Sequence, residues 1–212
     1  MSYKVKEMYY TLQGEGMQAG RSAVFCRFTG CNLWSGREQD RSKAQCKFCD
    51  TDFVGTDGPG GGRFTDPQSL SQAIQDQWQG QGGKPLVVFT GGEPLLQLDQ
   101  ALIDILHERG FDIAVETNGT QKAPSGIDHI CVSPKANAPL VLTEGHELKL
   151  VYPQTELQAQ PECFTHLKFK HFYLQPMDGP LKLENTQAAI KYCLMHPQWR
   201  LSLQTHKYIG IP

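Results

Sequence analysis

No apolar run in the 212-residue chain approaches the ~20 residues a membrane helix needs, and the opening MSYKVKEMYY lacks the basic start and apolar core of a secretory signal. The expectation is a cytoplasmic protein that works away from membranes. Charge of one sign is also scarce. A formal net charge of −2 supplies no basic field to hold nucleic acid, so the lysines and arginines read as a solvated surface. No internal repeat and no compositional break divides the chain, which reads as a single domain over 1–212. The apolar fraction of 39% is modest, yet at this length it suffices for a substantial core.

Cysteine is not scarce. The chain has 7, an odd number, and no export signal precedes them. That combination argues against a disulfide framework and favours metal binding or catalysis.

Short β-rich runs alternate with helical patterns. Strands are expected over 3–10, 23–29, 85–90, 112–116, 129–133, 147–151, 168–174 and 199–204. Asp66-Pro67 is an N-cap followed by proline at the first helical position, with Leu70, Ala73, Ile74 and Trp78 on one face. Leu95, Leu98, Leu102, Ile105 and Leu106 make a second amphipathic pattern closed by Gly110, and 184–196 a third stopped by Pro197. The run PLVVFT suits a strand covered on both faces. Residues 30–52 are polar, cysteine-bearing and aperiodic, a long loop of the kind that carries function. The GTDGPGGG stretch at 55–62 reads as a mobile turn. Strand–helix alternation with more strands than helices points to α/β, a reduced or partial TIM-like barrel of parallel strands, because a complete barrel needs ~250 residues.

Within 30–52, Cys46 and Cys49 form a C-x-x-C pair, and Cys31 precedes them with 32–45 between. From spacing alone, iron–sulfur and zinc stand about level. A structural zinc site needs four protein ligands, and no histidine lies between Cys26 and Cys49. Three thiolates on a cubane cluster leave one iron open. Cys26, Cys131 and Cys193 read as buried small hydrophobes, and Cys163 is undetermined.

Three polar clusters follow expected strands: Thr90-Gly91-Gly92-Glu93-Pro94, Glu116-Thr117-Asn118-Gly119 and Ser133-Pro134-Lys135. In barrel folds such positions line the active site. Arg27, inside the apolar AVFCRFT, needs a partner. A ligand carboxylate and an internal salt bridge, with Glu15 or Glu116, are equal readings.

Taken together, YYTLQGEG, Cys31-x14-Cys46-x2-Cys49-Asp50-Thr51, TGGEP at 90–94, ETNGT at 116–120, SPK at 133–135 and QPMD at 175–178 resemble the 7-carboxy-7-deazaguanine synthases, a family of radical S-adenosylmethionine enzymes. The first cysteine spacing departs from the superfamily's C-x3-C-x2-C, as an enlarged cluster loop would. The resemblance implies ring contraction of 6-carboxy-5,6,7,8-tetrahydropterin to 7-carboxy-7-deazaguanine with loss of ammonia, on the route to 7-deazapurines such as queuosine. It implies a [4Fe–4S] cluster on Cys31, Cys46 and Cys49, S-adenosylmethionine, and Mg2+ on Thr51. S-adenosylmethionine contacts would come from Phe48, Cys49, Asp50, Gly92, Ser133, Pro134, Lys135, Gln175, Pro176, Met177 and Asp178. Pterin contacts would come from Leu12, Gln13, Gly14, Arg27, Thr90, Glu116, Asn118 and Pro212. A homodimer and an electron-donating flavoprotein or ferredoxin are the implied partners. A glycyl-radical-enzyme activase and a zinc-stabilised binding module are the competing readings; the LQGEG and ETNG segments disfavour the first.

Overall fold

The computed structural model describes residues 2–212. Nine strands form one open sheet. β1 (Tyr3–Leu12) pairs antiparallel with β2 (Ser22–Phe28), and the short β3 (Gly62–Phe64) pairs antiparallel with the outer edge of β1. From β2 the sheet continues in parallel through β4 (Leu86–Gly91), β5 (Asp112–Thr117), β6 (His129–Val132), β7 (Glu144–Tyr152), β8 (Lys168–Pro176) and β9 (Trp199–Leu201). Helices α1 (Pro67–Gln77), α2 (Gln100–Glu108), α3 (Lys182–Met195) and the short α4 (Thr205–Ile209) complete it. This is a partial TIM-like barrel with few helices.

Local chemistry explains the boundaries. Asp66 caps α1 by accepting from the Ser69 amide at 2.8 Å, and Asp99 caps α2 by accepting from the Leu102 amide at 3.0 Å. Leu95 and Leu98, expected on the second helix, precede it instead. Pro94–Leu96 forms a 3-10 turn, because Asp99 takes the capping position and starts the helix at Gln100. The last strand stops at Leu201 rather than 204, and α4 follows.

The main core lies between the sheet and α1 and α2, and includes Val24, Cys26, Phe28, Val87, Phe89, Ile113 and Val115. Leu86, Val88, Ala23 and Ala114 pack with Phe25 on the opposite face, so β4 is covered on both sides. A separate cluster around Leu148, Leu150, Leu174 and Trp199 underlies α3.

The 55–62 segment is pinned rather than loose. Gly58 donates to the Lys6 carbonyl at 2.9 Å, the Pro59 carbonyl accepts from Met8 at 2.7 Å, and Lys6 Nζ reaches Asp57 at 2.8 Å. Gly60 sits at φ +64°, and a side chain on Gly61 would overlap the Lys6 carbonyl oxygen, so the glycines serve close approach to β1.

Candidate active site

Alternation along the strands decides what faces the barrel interior. Phe25 and Ala23 point inward, so Arg27 does too; Val88 is followed by Thr90 and Ala114 by Glu116. Pairing sets Arg27 beside Thr90 and aligns Glu116, Cys131 and Glu147 in one row across β5, β6 and β7. At the C-terminal strand ends these side chains, the loop over 31–53 and the chain end enclose a cavity of about 430 Å³. Of the residues implied by the resemblance, Leu12, Gln13, Gly14, Arg27, Cys31, Cys46, Phe48, Cys49, Asp50, Thr51, Thr90, Gly92, Glu116, Asn118, Ser133, Lys135, Gln175, Pro176, Met177, Asp178 and Pro212 line it. Pro134 is buried between Ser133 and Lys135, off the cavity wall.

The cysteine loop holds itself together without periodicity. Buried Trp34 meets Phe53 edge-on at 5.6 Å, and Arg41 lies 4.1 Å over the Trp34 ring. Arg41 also donates to the Lys47 and Cys49 carbonyls at 2.9 and 3.1 Å, which fixes the C-x-x-C turn. The Leu33 amide donates to Cys31 Sγ at 3.4 Å. A hydrogen bond from the Cys46 thiol holds the Cys49 thiol down at about 6 against the effect of burial.

The donor set fits a multi-iron cluster better than one ion. Among the described residues, the three ligand atoms that all gather within 4.8 Å of one another are those of Glu116, Cys131 and Glu147; the thiols of Cys31, Cys46 and Cys49 line the same cavity but do not all converge that closely, as ligands of a single ion would. Gly92 makes the space beside them. A Cβ there would come within 2.7 Å of the Cys31 Cβ and overlap the Gly30 carbonyl. The other thiols do not join: Cys26 and Cys131 are buried, Cys193 half-buried and Cys163 exposed.

Behind the glycines, Glu93 is fully buried and ties β4 to β5. It accepts from the Thr117 hydroxyl at 2.7 Å, the Asn118 amide at 2.8 Å and the Leu95 amide at 3.0 Å. Asn118 donates to Asn32 at 3.1 Å, and Asn32 to Thr120 at 2.8 Å, linking the ETNGT turn to the cysteine loop. Lys135 Nζ donates to the Ser133 carbonyl and hydroxyl, each at 2.6 Å, and burial lowers its pKa. Lys207 on α4 bridges Asp50 at 2.8 Å and Asp178 at 2.6 Å. The Thr11 hydroxyl donates to the Pro212 carbonyl at 3.0 Å.

Arg27 does have an internal partner, though not Glu15 or Glu116. Its Nε donates to Glu7 at 2.7 Å, because β1 pairs antiparallel with β2 and sets Glu7 opposite Arg27. Glu15 and Glu116 instead share Lys149, at 2.6 and 2.8 Å. Lys149 is only 5% exposed. Burial works against its charge, but the surrounding acids raise its pKa well above the ordinary value. Burial pushes the Glu116 carboxyl up, with Lys149 opposing and Glu15 and Glu147 adding to the rise. For Glu15 the Lys149 ammonium overcomes burial and the pKa falls. Lys149, Glu7 and Lys207 escaped the sequence reading. The only signal for Lys149 was the alternation E-L-K-L-V at 147–151, ordinarily the mark of a solvent-facing edge.

A cavity at the strand ends of a partial barrel, walled by three thiols and glycine-rich turns, defines a radical S-adenosylmethionine type of site. A Radical SAM superfamily model matches residues 40–142. The chain is 65% identical to a 7-carboxy-7-deazaguanine synthase from Bordetella pertussis and 66% identical to one from Caulobacter vibrioides, each alignment covering 100% of both chains. A crystal structure of QueE from Escherichia coli superposes with a TM-score of 0.71 at 27% identity, covering 96% of this chain and 94% of that one. The chain belongs to the 7-carboxy-7-deazaguanine synthase family.

Proposed function

We propose that the chain converts 6-carboxy-5,6,7,8-tetrahydropterin to 7-carboxy-7-deazaguanine and ammonia, using a [4Fe–4S] cluster, S-adenosylmethionine and Mg2+. The observation that carries this reading is convergence. The thiols of the 31–49 loop, Arg27, Glu116 and the strand-end turns all face one cavity of about 430 Å³, the scale of a small-molecule site.

Cys31, Cys46 and Cys49 would hold the cluster, and Thr51 would offer its hydroxyl to Mg2+, an ion that keeps several waters and needs few protein ligands. When bound, the cluster and S-adenosylmethionine supply the one-electron chemistry that removes a hydrogen atom from the pterin. The chain's own work is binding, orientation and exclusion of water. Arg27 spends its Nε on Glu7 and its contact to Tyr9 is long, 3.4 Å, so its two terminal nitrogens are available as a fork for the pterin carboxylate. Glu116 presents carboxylate oxygens to the two adjacent N–H groups of the amino-pyrimidinone edge, with Gln13 beside it at 3.3 Å. Leu12, Gly14, Thr90, Asn118 and Pro212 complete the pterin wall. Phe48, Asp50, Gly92, Ser133 to Lys135 and Gln175 to Asp178 form the S-adenosylmethionine wall, with Lys207 steadying its two carboxylates.

The whole chain acts as one domain, since one sheet runs through it. The free thiols suit a reducing, cytoplasmic compartment. No helix among the described residues is long and apolar enough to cross a membrane. α3 leaves Leu183, Leu194 and Met195 exposed, a face suited to a homodimer, and a flavoprotein or ferredoxin supplies the electron. The test is anaerobic reconstitution with iron and sulfide, then product analysis with the carboxypterin. A protein with a full cluster that yields no deazaguanine overturns the reading.

A further inference from the structure

Glu15, Glu116 and Glu147 gather on one ammonium. Lys149 touches two of them directly, and Glu147 follows two residues earlier on the same face of β7. Glu147 has other partners: its Oε2 accepts from the Met17 amide at 2.7 Å, and His129 Nε2 lies 3.5 Å from its Oε1. Glu116 has none of comparable strength. Apart from Lys149, it meets only the Gln13 amide at 3.3 Å and the Cys131 thiol. The groups that face Glu116 are Lys149 and Glu147 from β7, Cys131 from β6 and Glu15 from the β1–β2 loop, and among them Lys149 alone carries positive charge. Two other cations on the cavity wall are engaged elsewhere, Arg27 with Glu7 and Tyr9 and Lys135 with Ser133. In a buried site that single charge decides whether the carboxyl keeps its proton.

The protonation state of Glu116 is a choice of ligand. An ionised carboxylate offers acceptors only, matching the N3–H and 2-amino donors of a pterin. A neutral carboxyl offers one acceptor and one donor, matching the N3–H and 2-oxo pair of a pteridine-2,4-dione. We propose that Lys149 is the positioning residue that sets this choice: clamped against Glu15 and Glu116, it keeps Glu116 a carboxylate, so the site demands a 2-amino pterin and rejects a 2-oxo pteridine. This rests on the reading of Glu116 as the pterin-edge contact.

The experiment compares two unreactive probes, pterin-6-carboxylate and lumazine-6-carboxylate, binding to anaerobically reconstituted holoenzyme by calorimetry. The wild type should favour the pterin by ~100-fold or more, as expected for a site whose polar groups are left mismatched by the wrong ligand. Lys149→Met should shrink that preference by ~10-fold or more, because Glu116 then takes up a proton. Glu116→Gln, an amide with one donor and one acceptor, should shrink it similarly, and adding Lys149→Met to Glu116→Gln should change it no further. If the methionine variant does not fold, Lys149→Gln retains a hydrogen-bonding side chain and carries the same expectation. An unchanged preference in Glu116→Gln overturns the edge-contact reading. A changed preference there, with none in the Lys149 variants or with full additivity in the double variant, overturns the role of Lys149 alone.

Discussion

The carboxylate of Glu93, two residues past the end of β4, accepts a hydrogen bond from the Thr117 hydroxyl, at the end of β5, at 2.7 Å. The TGGEP and ETNG turns are thereby one structural unit. Glu93 is fully buried, and burial raises its pKa, while the Asn118 amide, the Thr117 hydroxyl and the Leu95 amide work to lower it. Its replacement by alanine strands three buried donors. Glu93→Ala should cost about 3 kcal/mol in urea unfolding. A loss below about 1 kcal/mol would show that these donors find other partners.

Arg27 stands in the sheet as a half-used fork, with Nε on Glu7 at 2.7 Å. Arg27→Ala should weaken carboxypterin binding by about 10- to 100-fold, the scale of a lost charged hydrogen-bond pair. Iron and sulfide content should not change, because Arg27 lies on β2, outside the cysteine loop. Unaltered affinity, measured by anaerobic calorimetry, would remove Arg27 from the substrate's carboxylate.

Gly92 tests the thiol cradle without touching a thiol. Its Cβ would come within 2.7 Å of the Cys31 Cβ and would overlap backbone at Gly30, neither of which can swing aside as a flexible side chain does. Gly92→Ala should therefore push Cys31 outward and lower iron per chain by about half or more on reconstitution, a loss consistent with a misplaced ligand. Full iron loading would mean that Cys31 tolerates the shift.

Much of this site is written locally. The strand-end turns stand out because glycine and carboxylate follow apolar runs, and the cysteine spacing singles out the loop. What stayed hidden depends on pairing between distant strands. Arg27 advertises its need for an anion, but Glu7 is selected by the antiparallel register of β1 on β2, which spacing cannot reveal. Lys149 alternates with Leu148 and Leu150 as an exposed strand would; only the curvature of the open sheet turns its polar face inward onto Glu15 and Glu116. The glycines at 55–62 signalled a turn correctly in composition, yet their contacts with Lys6 and Met8 make them a fitted strap. The start of α2 is masked in the sequence because Leu95 and Leu98 continue the apolar pattern through the 3-10 turn, and Asp99 alone marks the real cap.

The opposite end of the barrel is fastened by charge. Asp112, which opens β5, pairs with Arg21 at 2.6 Å and with Lys84, residues that lead into β2 and β4. Burial alone would raise its carboxyl, but Lys84 and Arg21 outweigh it and the pKa falls. A carboxyl lowered in the folded state binds its proton more weakly there than in the unfolded chain, whose value is about 3.9. Its contribution to stability is then present above that pH and is lost as pH drops through the folded value. Asp112→Asn should lower Tm by about 2–4 °C at pH 7. The gap from wild type should hold between pH 5 and 8 and close as pH falls below ~3. Because Arg21, Lys84 and Asp112 sit away from the cysteine loop, carboxypterin affinity should not follow the change in Tm. A gap that persists undiminished in acid would mean that the asparagine disturbs packing, and that the ion pairs do not fasten this end of the sheet.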